Sequence, residues 1–570
     1  MVFRILGAVA ASFLLAACAT LPQPASLEGR APAQPGVVSA ADPRAAEAGA
    51  EMLRAGGSAT DAAIATMLAL TVVEPQSSGI GGGGFYVRAT PDGAVETIDG
   101  RETAPATATP QWFLDAAGKP LDFRAAVLSG KSVGVPGNIA LARDAHRKHG
   151  LLSWARLFAP AITLAERGWQ ITPRGREFLI RAKHAAARDP AGLALFYDAA
   201  GEPLPVGTTV RNPALAKSLR RIAKGGADSF YKGPLARQIA DKVLADTPGG
   251  TGMTRADMAG YAAKERAGVC GTYRAYRICG MGPPSSGATT VLAILGQLER
   301  FDMAALGANS PVAWHLFAES QRLAYADRDW FLADPGFVTV PVERLTDPAY
   351  LKARGGQILP DRTMPTVTAG LRELAHGVAP GVGPAENGTS HFVVIGREGD
   401  AVSYTSTIES GFGSGLVVGG FYLNNELTDF SFVPEKDGKV VVNRVEAGKR
   451  PRSSMAPTVV FAPDGSLFMA VGAAGGATIP VQVSKVLIGV IDFGLPLDAA
   501  LALPVLYSPG DTVTVEKGSS LEAMIPALEA LGHAKVTSRE LPLKANAAIR
   551  RDGRWIGGAD PRSEGRAISE

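Results

Sequence analysis

The strongest constraint on the fold of this chain of 570 residues is an abrupt change of pattern at Thr389. Residues 340–388 lack hydrophobic periodicity and are rich in Pro and Gly, which indicates a flexible, exposed approach. Directly afterwards, Ser390 to Ile395 alternates as a strand does, Glu398-Gly399-Asp400 has turn composition, and Ala401 to Ile408 is rich in Thr, Val and Tyr. The sequence therefore predicts a pair of strands that begins at Thr389.

A Thr that directly follows a Gly can serve as a nucleophile if the chain is cut between them. A Thr hydroxyl reacts poorly unless a base lies beside it, and a free N-terminal amine can be that base. The reference pKa of an α-amine is about 7.7–8, so part of it is neutral near pH 7. Gly388 has no Cβ to resist a strained peptide before the cut. On its own the Gly388-Thr389 pair is weak evidence, because most such pairs only open a strand.

Charge and motif content argue against several other functions. The formal net charge is +3 and no long basic run is present, so we expect no nucleic-acid partner. The seven His residues are scattered without metal-ligand spacing, and we expect neither a metal nor a cofactor. The segment Gly130-Lys-Ser-Val-Gly134 matches parts of two catalytic motifs. It lacks the preceding strand of a nucleophile elbow and the Gly at position 125 of a phosphate loop.

The N-terminus has the pattern of an export signal. Residues 1–17 combine one positive charge with an apolar stretch too short to span a bilayer, and they end in Leu-Ala-Ala before Cys18. This pattern resembles a bacterial lipobox, which predicts lipidation of Cys18; an ordinary cleaved signal peptide is the alternative. Residues 18–36 then form a Pro/Ala-rich tether. We expect an exported, periplasmic protein that meets the membrane only through a lipid anchor, and Ala19 favours the outer membrane.

The two remaining cysteines, Cys270 and Cys279, flank a predicted hairpin. If Arg274-Ala275 forms a two-residue turn, Tyr273 faces Tyr276 and Cys270 falls opposite Cys279, where side chains are close. An oxidising compartment would permit a disulfide there. Two free thiols in a strand pair are the alternative.

Motifs distributed along the chain identify a family resemblance. The junction Asn387-Gly-Thr-Ser-His-Phe392 resembles that of the γ-glutamyltranspeptidases. Seven further segments match this family in order: Gly56-Gly-Ser-Ala-Thr-Asp-Ala-Ala63, Ser78-Gly-Ile-Gly-Gly-Gly83, Ser132-Val-Gly-Val-Pro-Gly137, Gly282-Pro-Pro-Ser-Ser-Gly287, Leu423-Asn-Asn-Glu-Leu-Thr-Asp429, Lys449-Arg-Pro-Arg-Ser-Ser-Met455 and Gly475-Gly476. The resemblance implies an α/β (α+β) chain folded as the αββα four-layer sandwich of N-terminal-nucleophile hydrolases.

The resemblance also implies how the chain is divided and what it does. Cleavage between Gly388 and Thr389 would yield a large subunit of residues 37–388 and a small catalytic subunit of residues 389–570, which stay together as a heterodimer. The implied activity is that of a γ-glutamyltransferase or glutathione hydrolase. It would pass a γ-glutamyl group from a small donor such as glutathione, through an ester on Thr389, to water or to an amino acid or peptide.

Catalytic roles carried over from the family fall on four residues. Thr389 attacks the amide while its own amine shuttles the proton, and Thr407 orients that amine. Gly475 and Gly476 supply backbone N–H groups to the oxyanion, a contribution typically worth about 3 kcal/mol of barrier.

Substrate-binding roles carried over from the family fall on charged and hydroxyl side chains. The donor's α-carboxylate would be held by Arg101, whose planar fork suits a carboxylate, with Ser453 and Ser454. Its α-ammonium would meet Glu426 and Asp429.

Two departures from the family's best-known members leave the acyl group open. Glu409 stands where they carry an Asn that contacts the substrate's amino group. The segment Ser431 to Ala447 matches their lid loop in position but is shorter and has no aromatic gate beyond Phe432. Both features resemble the cephalosporin (glutaryl) acylase branch, whose substrate lacks the α-amine. An inactive exported binding lipoprotein is the alternative of another class.

Overall fold

Two antiparallel sheets, packed face to face, form the centre of the molecule. A computed structural model describes residues 35–374, 377–381 and 388–570, so the predicted signal, Cys18, most of the tether and Asn387 lie outside the described residues. The sheets are built from these strands: β1 (Val37–Ala40), β2 (Gly83–Ala89), β3 (Val95–Gly100), β4 (Lys264–Arg266), β5 (Val269–Tyr273), β6 (Tyr276–Gly280), β7 (Gly388–Ile395), β8 (Ala401–Glu409), β9 (Thr458–Phe461), β10 (Leu467–Ala474), β11 (Lys544–Arg551), β12 (Arg554–Ala559) and β13 (Arg566–Ser569).

The strand order mixes the two halves of the chain. The first sheet runs β13-β1-β7-β8-β2-β3-β4, and the second runs β12-β11-β10-β9-β6-β5. Strands from before and after Thr389 are therefore neighbours: β7 pairs with β1 on one side, and β8 pairs with β2 on the other.

Helices cover the outer face of each sheet. Helices α1 (Pro43–Arg54), α2 (Ala59–Val73) and α3 (Asn138–His149) cover the first sheet, whereas α4 (Gly287–Leu298) and α6 (Ile479–Ile491) lie on the second, with α5 (Pro311–Phe331) packed across α4. The remaining α-helices are Phe123–Val127, Trp154–Leu157, Ala159–Arg167, Pro173–Arg181, Lys183–Ala186, Pro190–Phe196, Pro213–Gly225, Asp228–Tyr231, Pro234–Ala245, Arg255–Gly260, Met303–Leu306, Val342–Leu345, Pro348–Gly355, Leu497–Ala502 and Ile525–Ala530. Short strands outside the sandwich are Trp169–Gln170, Thr209–Val210, Val378–Ala379, Val417–Val418, Phe421–Tyr422, Glu435–Lys436, Lys439–Val441, Leu506–Tyr507, Val513–Glu516 and Val536–Arg539. This is the predicted αββα sandwich.

Strand β7 shows how the sequence pattern creates the two cores. Phe392 and Val394 belong to the apolar core beneath α1 and α2, whereas Val393 and Ile395 belong to the core shared with the second sheet. Successive strand residues point to opposite faces, so Thr389 shares the inter-sheet face with Val393. The predicted strand pair is confirmed, and each strand extends slightly further, β7 back to Gly388 and β8 on to Glu409.

The predicted hairpin around the two cysteines is also present. Tyr273 pairs with Tyr276, and Cys270 pairs with Cys279. The turn residues Arg274 and Ala275 have positive φ angles of 49° and 67°, the conformation that matches the twist of a two-residue hairpin. In the structure the two cysteine sulfurs form a disulfide. No helix among the described residues has both the length and the apolar character needed to cross a membrane.

Candidate active site

The Gly388-Thr389 peptide lies at the first residues of β7, where the ladder to β8 is irregular. Thr389 pairs with Thr407, but Gly388 pairs with Glu409, so Ile408 is an extra residue in β8. Such a bulge bends the strand and redirects the side chain that follows. Glu409 adopts a φ of 76°, which is uncommon for a residue with a Cβ. The bulge therefore turns Glu409 out of the regular strand, next to the peptide predicted to be cut.

Only glycine fits immediately before Thr389. A Cβ on Gly388 would lie 2.4 Å from the carbonyl oxygen of Glu409 and 2.8 Å from the carbonyl carbon of Ser410. These are backbone atoms of the bulge, which cannot move aside as a flexible side chain could. The requirement for Gly388 thus comes from tight packing as well as from its conformational freedom.

Two hydroxyl groups converge on the carbonyl of Gly388. The Thr407 Oγ1 donates to the Gly388 oxygen at 2.6 Å, and the Thr389 Oγ1 lies 2.7 Å from the same oxygen and 3.2 Å from Thr407 Oγ1. The backbone N–H of Glu409 donates to Thr407 Oγ1 at 2.8 Å. Because that N–H occupies an acceptor position of Thr407, it directs the single hydroxyl proton of Thr407 toward Gly388. The carbonyl at the predicted cleavage site is therefore polarised beside the hydroxyl of Thr389.

A buried charge pair holds the opposite face of the same strand. Ser390 donates to the Glu74 carboxylate at the end of α2, and Lys544 Nζ of β11 lies 2.8 Å from Glu74 and 3.3 Å from Ser390. Burial opposes ionisation of Glu74, but Lys544 and the hydrogen bonds hold the pKa of its carboxyl below the usual value. Two distant segments thus fix the position of Ser390, the residue after the predicted nucleophile.

The Gly475-Gly476 turn lies at the end of β10, at the same end of the sandwich as Thr389. Ala474 pairs with Lys544, whose side chain reaches Ser390. Gly475 has a φ of 135°, and a Cβ there would lie 2.1 Å from the Pro542 oxygen, so only glycine can occupy it. The turn leads into α6, whose N-terminus carries partial positive charge.

A buried cluster of charged side chains adjoins the bulge. We call it the charge cluster; its members are Arg101, Glu102, Glu409, Glu426 and Asp429, which are at most 4% exposed. The guanidinium of Arg101 donates to both Glu426 and Asp429, and further to the backbone oxygens of Pro451 and Arg452. The Glu409 carboxylate accepts from Asn425.

The charge cluster contains more acid than base. Burial raises the pKa of Glu426 well above its ordinary value, against the attraction of Arg101, and the neighbouring carboxylates add to the rise. Burial likewise raises the pKa of Asp429, and it raises the pKa of Glu102 to about 7. The attraction of Arg101 and a hydrogen bond with the Glu426 carboxyl oppose the rise in the pKa of Glu102 without cancelling it. The cluster therefore groups four buried carboxyls around one directly bonded guanidinium, with Arg328 and Arg452 acting on Asp429 from outside it.

Ser453 and Ser454 lie beside this cluster, on the segment whose carbonyls bind Arg101. Ser454 Oγ accepts a hydrogen bond of 2.7 Å from Arg328 of α5, and Ser453 Oγ accepts one from the Met455 N–H at 3.2 Å. Arg328 also donates to Ser286. The two serines are thus held from the side of the second helical layer.

The structure brings the predicted substrate residues together, but with a different pairing. Arg101 was expected to bind the substrate's carboxylate, and Glu426 and Asp429 were expected to bind its ammonium group. In the structure Arg101 instead forms ion pairs with Glu426 and Asp429. Sequence reasoning missed Glu102, Asn425, Arg328 and the Glu74–Lys544 pair. Asn425 lies inside a matched motif and Glu102 directly follows Arg101, but neither position indicates burial. Among the described residues, no group of three or more His, Cys, Asp or Glu side chains is arranged to hold a metal ion.

Comparison with known proteins places this geometry in a family. The chain is 37% identical over 542 residues to the glutathione hydrolase proenzyme of Escherichia coli (strain K12), covering 93% of this chain and 91% of that protein. It is 35% identical to the Acylase ACY 1 proenzyme of Pseudomonas sp. (strain SE83), covering 94% and 93%. The crystal structure of cephalosporin acylase from Bacillus halodurans superposes with a TM-score of 0.80 at 27% identity, covering 97% and 99%. The profile of the Gamma-glutamyltranspeptidase family matches residues 45–569, and the chain belongs to that family.

Proposed function

We propose that this protein is a glutathione hydrolase and γ-glutamyltransferase that cleaves γ-glutamyl amides through an ester on Thr389. The observation that carries the proposal is the juxtaposition of two features: a Thr hydroxyl on a polarised glycyl carbonyl, and a buried charge cluster with surplus acid. The first supplies a nucleophile, and the second suits an acyl group that carries an α-ammonium.

The geometry at Gly388 supports self-cleavage. Thr389 Oγ1 attacks the carbonyl carbon of Gly388, and the Thr407 hydroxyl stabilises the oxygen that becomes negative. The C–N bond then breaks, its nitrogen takes up a proton and becomes the Thr389 amine, and the glycyl group remains as an ester on Oγ1. Water hydrolyses that ester. The products are a carboxylate at Gly388 and a free Thr389 amine, which serves as the base in later turnovers.

In the mature enzyme the same hydroxyl attacks the γ-carbonyl of the donor. The amine of Thr389 takes the hydroxyl proton and returns it to the leaving nitrogen, while the Gly475 and Gly476 amides stabilise the oxyanion. Water or an acceptor amine then releases the acyl group. Arg101 with Ser453 and Ser454 would hold the donor's α-carboxylate, so Arg101 must exchange at least one of its present acidic partners.

Charge balance favours a γ-glutamyl over a glutaryl group. Four carboxylates surround Arg101, and burial already raises the pKa of three of them. A γ-glutamyl donor brings an ammonium that compensates this surplus, whereas a glutaryl donor brings only a further carboxylate. Glu409, the departure from the family's best-known members, adds to the surplus.

Kinetics with two matched substrates test this assignment. We expect purified, processed protein to cleave γ-glutamyl-p-nitroanilide at least about 10-fold better in kcat/KM than glutaryl-p-nitroanilide, because a charge-assisted hydrogen bond contributes about 1.5–3 kcal/mol. Equal or better turnover of the glutaryl compound would favour the acylase alternative. The acylase alternative has a specific basis, because the Acylase ACY 1 proenzyme is a relative of this chain.

Processing into a heterodimer is part of the proposal. Several relatives carry the word proenzyme in their names, and we infer a large subunit of residues 37–388 with a small subunit of residues 389–570. A denaturing gel of purified protein should show two bands, and N-terminal sequencing of the smaller should begin at Thr389. A single full-length band that Thr389→Ala leaves unchanged would favour the inactive binding lipoprotein.

Export is proposed from the first residues alone. Residues 1–17 would direct the chain across the inner membrane, and lipidation of Cys18 would anchor it at the outer membrane, facing the periplasm. Mass spectrometry of the full-length product from a Gram-negative host tests this, with Cys18→Ala as the control. A diacylglyceryl modification that the variant lacks supports the proposal; an unmodified mature N-terminus at another residue contradicts the lipid anchor.

A further inference from the structure

A cleft of about 540 Å³ opens beside the reaction centre. Its walls come from the helices Phe123–Val127 and Pro173–Arg181 on one side and from two loops near Lys517 and Leu541 on the other. This volume is within the range of small-molecule sites and suffices for an amino acid or a short peptide.

The floor of the cleft is the outer side of the reaction centre. Ser410 and Pro542 both line the cleft. The backbone of Ser410 is what a Cβ on Gly388 would strike, and the oxygen of Pro542 is what a Cβ on Gly475 would strike. Through these two residues the cleft borders both the peptide predicted to be cut and the predicted oxyanion turn.

Each acid in the wall of the cleft has a basic partner. Glu177 pairs with Arg181 at 3.2 Å and Glu516 pairs with Arg562 at 2.6 Å. Glu540 lies 3.9 Å from Lys517, which is also in the wall. In each of these three pairs the positive charge balances the negative one, so the net charge of the wall depends on its remaining basic residues.

Two guanidinium groups in the wall have no acidic partner. Neither Arg124 nor Arg174 forms an ion pair with any described residue, and Arg174 Nε is buried without a hydrogen-bond partner there. Arg174 stacks 5.5 Å from the ring of Phe178. Burial, and after it the charge of Arg124, lowers the pKa of the His184 imidazole, which therefore adds little positive charge at neutral pH. The cleft therefore has two guanidinium groups outside any ion pair of the described residues, of which Arg174 also acts on the buried Glu74–Lys544 pair.

We propose that this cleft binds the amine half of the reaction, and that Arg124 and Arg174 select amines that carry a carboxylate. The proposal rests on the proposed function: the charge cluster holds the acyl half, the C–N bond breaks at Thr389, and the protonated amine leaves through the cleft. An acceptor amine enters by the same route and takes the acyl group from the ester. Amino acids and peptides with a free C-terminal carboxylate fit this chemistry, because guanidinium forks bind carboxylates with two hydrogen bonds.

Donors that differ only in the leaving group test the proposal. The anionic donor is γ-glutamyl-3-carboxy-4-nitroanilide and the neutral donor is γ-glutamyl-p-nitroanilide; the readout is the ratio of their kcat/KM values. In Arg124→Gln/Arg174→Gln we expect this ratio to fall about 5- to 20-fold, mostly through KM, and we expect added salt to lower the wild-type ratio. Arg220→Gln, which removes a charge from an exposed pair with Glu166, should leave the ratio within about twofold.

A parallel measurement uses acceptors, with glycylglycine against glycylglycinamide. The double variant should lose the preference for the acceptor with the free carboxylate. An unchanged ratio in both measurements, or an equal loss with Arg220→Gln, would overturn the proposal. If wild-type protein cleaves neither donor, the proposed function itself fails; if it cleaves both but the ratio does not respond to the variants, only the cleft assignment fails. Two bands on a denaturing gel show that the variants fold and process.

Discussion

The reaction centre and the charge cluster lie next to each other but are built in opposite ways. At the reaction centre, neutral hydroxyls of Thr389 and Thr407 meet one backbone oxygen, and strand register fixes their positions. In the charge cluster, four buried carboxyls lie with one guanidinium, that of Arg101, which pairs with two of them. The hydroxyls of the reaction centre are hydrogen-bonded without a ligand, whereas the charge cluster has more carboxyl groups than guanidinium groups. The difference indicates that the reaction is set by the fold and that substrate choice is set by charge.

Removing the nucleophile should have the largest effect. Thr389→Ala should abolish self-cleavage and lower kcat by at least about 10³-fold, because the hydroxyl proposed to form the ester is lost. Thr389→Ser keeps a hydroxyl and should still be cut, though more slowly. Gel densitometry over time and turnover of γ-glutamyl-p-nitroanilide measure both effects. Cleavage before residue 389 in the Ala variant would show that the reaction centre is not where the strand register places it.

Removing the hydroxyl that polarises Gly388 should have the next largest effect. Thr407→Val keeps the shape of the side chain but loses the 2.6 Å hydrogen bond to the Gly388 oxygen. Loss of one oxyanion donor typically slows a reaction about 10²- to 10³-fold, and we expect that decrease in the rate of self-cleavage. Thr407→Ser should restore most of the rate. Since the Glu409 N–H also loses its acceptor, thermal melts must first show that the Val variant is folded. A folded Val variant that is cut at the wild-type rate would contradict this role.

A neutral substitution in the charge cluster should act on substrate choice. Asp429→Asn should raise KM for γ-glutamyl-p-nitroanilide about 10- to 100-fold, the range expected for losing a charge-assisted contact with the ammonium. Turnover of the glutaryl compound should stay the same or improve. Asp437→Asn, which changes an exposed acid, is the matched control. Equal losses with both substrates would mean that Asp429 supports the fold rather than selecting the ammonium.

The smallest expected effect is a change in the free energy of unfolding with pH, caused by the excess of carboxyl groups in the charge cluster. Burial raises the pKa of Glu102 from 4.5 to about 7, so between these values the folded chain keeps a proton that the unfolded chain has lost. The stabilisation is complete below pH 4.5 and is lost as pH rises through about 7, so the free energy of unfolding falls over this window, on the order of 2–3 kcal/mol. Urea unfolding of the uncut Thr389→Ala protein measures it.

Glu102→Gln in that background should flatten the fall, because a neutral amide cannot lose the proton. Glu435→Gln, at an exposed strand residue, should keep the wild-type slope. A slope that Glu102→Gln leaves unchanged would show that another group carries the surplus proton. That result would leave the reaction centre untouched and would revise only the account of the charge cluster.

Local pattern predicted the strand pair at Thr389 and the cysteine hairpin, and for a physical reason. Alternation marked β7 and β8, and turn chemistry set the register of the cysteine hairpin; both depend on residues close in sequence. The charge cluster was predicted only as a set of residues. Its pairing joins Arg101 to Glu426 and Asp429, hundreds of residues away, and no local pattern reports such contacts. The pKa of Glu102 follows from burial, which only the packed fold determines.

The interleaved strand order of the first sheet affects how the two products of the proposed cut can fold. With β1 and β2 on one product of the cut and β7 and β8 on the other, each product alone would expose long unpaired strand edges, which promote aggregation. If the chain is cut as proposed, the bond between Gly388 and Thr389 is needed while the chain folds and is no longer needed once these strands have paired. Two polypeptides translated separately would have to find each other before either could fold. Splitting the gene at this position should therefore give insoluble protein, whereas the proposed cut of the folded chain would leave the strand pairs in place.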